Sequence, residues 1–172
     1  MLVLNKELVN KKIDIRPFGE DDFEIIRRWH VDMCLAELSE DEAKSLDIKS
    51  FIQRTDKILI DTAGSDTNSL YVADLDNTIV GFILIGPTKE FFSLKKRMFV
   101  YAIYCDPKYR GLGIGRMLMD KAKIVALESG MDEVWLTVTE SNDAVEFYKR
   151  IGYKTCRRTM ILDTCKDGEN VI

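Results

Sequence analysis

Apolar residues along this chain switch between two spacings, and the switches mark its elements. Lys12 to Arg16 alternates, with Ile13 and Ile15 on one side, and stops at Pro17, which predicts a first strand. Phe23, Ile26, Trp29 or His30, and Met33 then recur at helical spacing. Glu20, Asp21 and Asp22 precede them, placing negative charge where a first helical turn favours it. Leu38 to Glu42 reads as a break and a restart, because Ser39 followed three residues later by Glu42 is a capping box. Ile48, Phe51, Ile52, Thr55 and Leu59 continue a second amphipathic helix, which Gly64 ends. Ser69–Asp76 and Thr78–Ile85 are β-runs around Asp76-Asn77, a tight hairpin turn, and Gly81 marks a bulge or a close backbone contact. Gly86 to Arg97 reads as a loop. Met98–Cys105 is a buried strand, and Met117, Leu118, Ala122, Val125 and Ala126 form a helix running to about Glu128. Glu133–Thr139 is a strand, Ser141–Arg150 a short helix, and Tyr153–Leu162 a last strand before a polar tail from Asp163. The predicted order is β-α-α-β-β-β-α-β-α-β. It belongs to the α/β (α+β) class, with a mixed central sheet flanked by helices on both faces. One domain over residues 1–172, with its core at about 13–162, accommodates it.

Composition narrows the functions this fold can serve. A net charge of −4 offers no basic field for nucleic acid and mildly favours cationic partners. The four cysteines have no C-x-x-C pairing and the chain has one histidine, so no metal site or disulfide framework is expected. Without a signal-like N-terminus or a run of transmembrane length, the expected setting is cytoplasmic, with no membrane partner, as a monomer or a homodimer. His30 is either a ligand or base, or a packed helix residue; a lone histidine favours packing. Glu37, Glu40, Asp41 and Glu42 are either a solvated helix start or an acidic lip for a cationic substrate. In the 86–97 loop, Phe91 and Phe92 lie amid Lys89, Lys95, Lys96 and Arg97, which fits either a substrate cover with a basic rim or a pinned connection.

The chemistry concentrates in Tyr104–Lys121, where a strand ends, a turn forms at Asp106-Pro107, and Arg110, Gly111, Gly113 and Gly115 lead into a helix. Glycine lets a backbone approach a ligand closely, and a helix start offers unpaired N–H groups and partial positive charge, so the arrangement is a cradle for a diphosphate. A Walker A loop would need Lys-Ser/Thr after the glycines, and a dinucleotide fingerprint would need G-x-G-x-x-G at the head of a βαβ unit; neither is present. The run fits R-x-x-G-x-G through Arg110, Gly113 and Gly115. It resembles the acyl-CoA signature of the GNAT superfamily of N-acyltransferases. A second motif, Ala144 to Tyr153, resembles that family's A-x-x-x-Y-x-x-x-G followed by an aromatic.

The resemblance implies an acetyl-CoA-dependent N-acetyltransferase acting on an amine of a small molecule or peptide by direct attack, with no metal. It implies pairing of the pantetheine arm with the strand at Ile103 and Cys105. It also implies a diphosphate site at Arg110, Gly111, Leu112, Gly113, Ile114, Gly115 and Arg116, and Tyr148 as proton donor to the leaving thiolate and as a cofactor contact. Two departures stand out. The position where the family often has Asn holds Ser141, with Asn142 one residue late, so either of them is a cofactor contact. Met98–Cys105 also lacks the carboxylate many relatives use as base. Tyr101 shares strand parity with Ile103 and Cys105 and is the candidate catalytic group there; water and Glu140 are the alternatives. An acyl-cysteine route through Cys105 is disfavoured for want of a histidine partner. The alternative to an enzyme is a non-catalytic acyl-CoA-binding or regulatory module on the same fold.

Overall fold

The structure is a computed structural model that describes residues 12–89 and 94–162. Five strands form one sheet in the order β1 (Ile13–Pro17), β2 (Ser69–Leu75), β3 (Thr78–Thr88), β4 (Arg97–Cys105) and β5 (Glu133–Trp135). The first three pairings are antiparallel, and β4 pairs with β5 in parallel, as a strand–helix–strand crossover requires. The helices are α1 (Phe23–Ala36), α2 (Glu40–Lys44), α3 (Ile48–Ala63), α4 (Ile114–Glu128) and α5 (Ala144–Arg150). The chain divides into two compact units, one up to Thr137 and one from Val138.

In the first unit the alternation of β2, β3 and β4 feeds both faces of the sheet. Ile26 and Trp29 of α1 and Leu59 of α3 close over Val72, Phe82, Leu84 and Ala102 on one face. Trp29 stacks on Tyr104 at a centroid distance of 5.0 Å, filling the space beside Phe82. The other face receives α4 through Ile114, Leu118, Met119 and Ala122, all buried. At the sheet edge Arg16 joins β1 to β2 and to the turn before α1. It donates to Asp22 at 2.7 and 2.9 Å and to Asp74 at 3.0 Å. Asp22 in turn accepts from the Gly19 amide, and the Arg16 contact holds its carboxyl below the usual carboxylate range.

Some expectations hold and others change. Asp76 and Asn77 take φ of 50° and 66°, the pair of left-handed residues that a two-residue hairpin demands. The capping box at Ser39 and Glu42 forms, but the helix it starts ends at Lys44; Asp47 then caps a new helix through the Lys49 amide. The expected 86–97 loop is shorter, because β3 continues through Gly86, Pro87 and Thr88 and β4 begins at Arg97. Phe91 and Phe92 lie outside the described residues, as do the N-terminal segment and the polar tail. The strand expected over Glu133–Thr139 stops at Trp135. Tyr153–Leu162 forms no strand, and Met160, Ile161 and Leu162 stand exposed. Its β-formers have no ladder partner among the described residues, and β-propensity without a partner does not make a strand.

Candidate active site

The site is built where β4 gives way to α4. Asp106 turns the chain: its amide donates to the Val80 carbonyl at 2.9 Å and its carboxylate accepts from the Lys108 amide at 2.9 Å. Val80 is the extra residue of a bulge on β3, since Ala73 faces Gly81 and Asp74 faces Ile79. A β-carbon on Gly81 would meet the Tyr104 carbonyl at 2.6 Å and Ile114 at 3.3 Å, so only glycine lets β4 and the start of α4 come this close. Gly111 and Gly113 then take φ of 86° and 81°, and Gly113 begins α4. A β-carbon on either would meet nothing within 4 Å, so the space before the helix start is open. The first amides of α4, on Ile114, Gly115 and Arg116, face that end without an intrahelical acceptor. The Ile114 side chain is buried in the core, so this residue offers a ligand only its backbone. Arg110 and Arg116 are exposed, and Arg116 lies 3.8 Å from Asp120 one turn on. Leu112 is half-buried between them. This cradle fits an anionic diphosphate.

Back from the cradle, part of the β4 edge has no partner on β5. β4 and β5 pair only at Arg97–Glu133, Met98–Val134 and Phe99–Trp135. Beyond that rung β4 continues to Cys105 with no β5 partner, so the edge carrying Ile103 and Cys105 is available to an extended amide-bearing chain. Burial pushes the Cys105 thiol up, with Arg110 opposing weakly, which keeps it an unreactive thiol at neutral pH.

Tyr101 does not follow the parity expected of it. On β4, Ala102 faces Leu84 while Val100 faces Ile85, so Tyr101 is the extra residue of a second bulge. One extra residue reverses the side-chain alternation. Tyr101 therefore packs edge-on against Phe99, at a centroid distance of 5.1 Å, and beside Gly86. Phe99 faces Gly86, two residues from Leu84, so this pair lies on the α1–α3 face, opposite Ile103. Tyr101 is 42% exposed, and its hydroxyl points to the Pro87 carbonyl at 3.5 Å.

In the second unit, Asn142 resolves the choice of cap. Its Oδ1 accepts from the Ala144 amide at 2.9 Å, whereas Ser141 is exposed. Tyr148, one turn into α5, lies against Phe147 and Tyr153 at 5.2 and 5.9 Å between centroids. Burial raises its phenol pKa, so the hydroxyl stays protonated across the neutral range.

His30 is buried on α1, 3.9 Å from Cys34 Sγ, and desolvation lowers its pKa. No cluster of three or more His, Cys, Asp or Glu gathers for a metal ion among the described residues, and no helix there is long and apolar enough to cross a membrane. Sequence reasoning did not single out the group at the paired end of β4 and β5. There Arg97 is buried, donates to Glu133 at 2.8 Å, and lies 4.0 Å from the centroid of the Trp135 ring. The three residues meet through a parallel register that their positions in the chain do not announce.

The model of the acetyltransferase (GNAT) family matches residues 25–153. Streptothricin acetyltransferase of Streptomyces lavendulae is 30% identical over 111 residues, covering 63% of this chain and 57% of that protein. A putative acetyl transferase from Pyrococcus furiosus superposes with a TM-score of 0.75 at 24% identity, over 89% of this chain and 99% of that one. The aminoglycoside N-acetyltransferase AAC(6')-Iy, solved with CoA, gives a TM-score of 0.66 at 15% identity, over 90% and 96%. At such identities the superpositions show the fold alone. The chain spans about half the length of the curated relatives it matches.

Proposed function

The chain belongs to the acetyltransferase (GNAT) family, and from that premise we infer that it is an N-acetyltransferase moving an acetyl group from acetyl-CoA to the amine of a small molecule or peptide. The observation that carries this reading is the unpaired length of β4 running into the glycine cradle: an edge for an amide-bearing arm that ends at a site for a diphosphate.

Each residue then has a task. The amides of Gly113 to Arg116 hold the diphosphate, with Arg110 and Arg116 adding charge. Backbone groups at Ile103 and Cys105 align the arm as an added strand, and a β4 amide stabilises the oxyanion that develops at the carbonyl. The neutral amine nitrogen attacks the thioester carbon, the carbon–sulfur bond breaks, and the amine proton leaves to water. Tyr148 gives its proton to the departing sulfur; a phenol kept protonated by burial supports that role. Water serves as base because β4 carries no carboxylate. Asn142 holds the start of α5, and Ser141 is the residue of that pair free to reach the cofactor. Cytoplasmic residence and a cationic acceptor complete the reading.

The absent strand carboxylate also favours a second reading, an acyl-CoA-binding module without turnover. A panel of polyamines, aminoglycosides, free amino acids and peptide N-termini, read by thiol release alongside calorimetric CoA binding, separates the two. Turnover of any amine supports the enzyme. CoA binding without turnover supports the module, and no CoA binding removes both.

A further inference from the structure

The length of β4 without a β5 partner ends at the Phe99–Trp135 rung, and the construction of that rung bears on which acyl group fits. An arm anchored at the glycine cradle and paired along β4 would run toward the last β4–β5 rung, Phe99 with Trp135. Residues two apart on a strand share a face, which puts Glu133 and Trp135 of β5 on the side of Arg97 and Phe99 of β4. Trp135 is not a loose side chain there. The buried Arg97 guanidinium lies against its ring at 4.0 Å, and Arg97 is fixed by Glu133, which Lys95 also holds. The backbone is tied at the same place: the Asp132 amide donates to the Lys96 carbonyl at 2.8 Å, and the Lys96 amide donates to the Asp132 carboxylate at 2.8 Å. A planar ring backed by a paired guanidinium resists displacement more than a ring with open space behind it.

We propose that Trp135, backed by Arg97 and Glu133, is the end wall of the acyl site and restricts this chain to short acyl groups. The proposal rests on the acetyltransferase reading and adds to it the residue that sets acyl length. A rigid apolar wall discriminates by about 10- to 200-fold per added methylene group. An acetyl group should therefore pass where a butyryl group is refused.

The test compares kcat/KM for acetyl-, propionyl- and butyryl-CoA with one acceptor, with CoA affinity measured by calorimetry and folding by thermal melting. Wild type should prefer acetyl-CoA over butyryl-CoA by about tenfold or more. Trp135→Ala should raise the butyryl-to-acetyl ratio by about tenfold or more, with CoA affinity within about threefold of wild type. Trp135→Leu keeps an apolar side chain should the alanine variant fail to fold, and Arg97→Lys keeps the charge but loses the planar backing. Both should move the ratio in the same direction by less. A purely structural role would lower all three substrates together. Folded variants with the wild-type ratio, or a wild type that uses butyryl-CoA as well as acetyl-CoA, overturn the wall. A wild type that binds no CoA overturns the acetyltransferase reading itself, and calorimetry tells these outcomes apart.

Discussion

Two side chains carry predictions of their own. Tyr148→Phe removes one hydroxyl and keeps the ring that packs against Phe147 and Tyr153. A proton given to a departing thiolate is an interaction of the transition state, so kcat should fall by about 10²- to 10⁴-fold while CoA affinity and acceptor KM stay near wild type. Because burial raises the phenol above its ordinary pKa of about 10, the wild-type rate should show no falling limb from this group below that pH. A loss of CoA affinity at unchanged kcat would make the hydroxyl a ground-state contact. His30 makes the opposite kind of prediction, about stability. Burial lowers its folded-state pKa, so the unfolded chain binds this proton more readily. The neutral imidazole's contribution is fully present above the ordinary value of about 6.5 and is lost as pH falls toward the folded pKa. Wild type should thus lose more Tm between pH 7.5 and 5.5 than His30→Gln. As the chain has one histidine, its imidazole resonances can be followed without assignment ambiguity, and a midpoint at or above about 6.5 would contradict the prediction.

Among the elements, the cradle is the most exposed to mutation. Gly113 sits at φ 81° with open space where a β-carbon would project. Valine there costs about 1–2 kcal/mol of left-handed strain in the fold and, separately, pushes a branched side chain toward the amides of α4. Folded Gly113→Val should lose at least about tenfold in CoA affinity, with a lowered Tm reporting the strain. Unchanged affinity in a folded variant would remove the cradle from the mechanism. Local features of this kind could be read in the sequence because glycines, caps and turn pairs act within a few residues. Asp76-Asn77, Ser39 with Glu42, and the strand–glycine–helix passage all sit where their chemistry dictates. Three things were not legible. The bulge at Tyr101 depends on how β4 meets β3, so alternation along β4 alone placed that side chain on the wrong face. The Trp135 wall depends on a parallel register bridging more than thirty residues, and the strand expected at Tyr153–Leu162 has among the described residues no ladder partner, which its own β-formers cannot supply.

At the scale of the whole molecule, charge is the property left to argue, and it concerns the acceptor. The chain carries a net charge of −4, and Glu37, Glu40, Asp41 and Glu42 cluster at the joint of α1 and α2. Part of that cluster already has structural work. Glu42 accepts from the Ser39 amide and hydroxyl at 2.8 and 2.6 Å, and Asp41 pairs with Lys44 at 3.3 Å. Neutralising Glu42 would therefore uncap α2 and confuse the result. Glu37→Gln with Glu40→Gln is the cleaner change, since neither takes part in the capping box. If these carboxylates attract a cationic amine, the double variant should raise KM for a polyamine at low salt by about two- to fivefold, the scale of about 0.5–1 kcal/mol for exposed charges, with kcat unchanged. Screening shortens the reach of exposed charges from about 10 Å at 0.1 M to about 3 Å at 1 M salt, so the two proteins should converge at high salt. A neutral acceptor should show neither effect. Identical polyamine KM values for the two proteins at every salt concentration would return the cluster to the role of a solvated helix start.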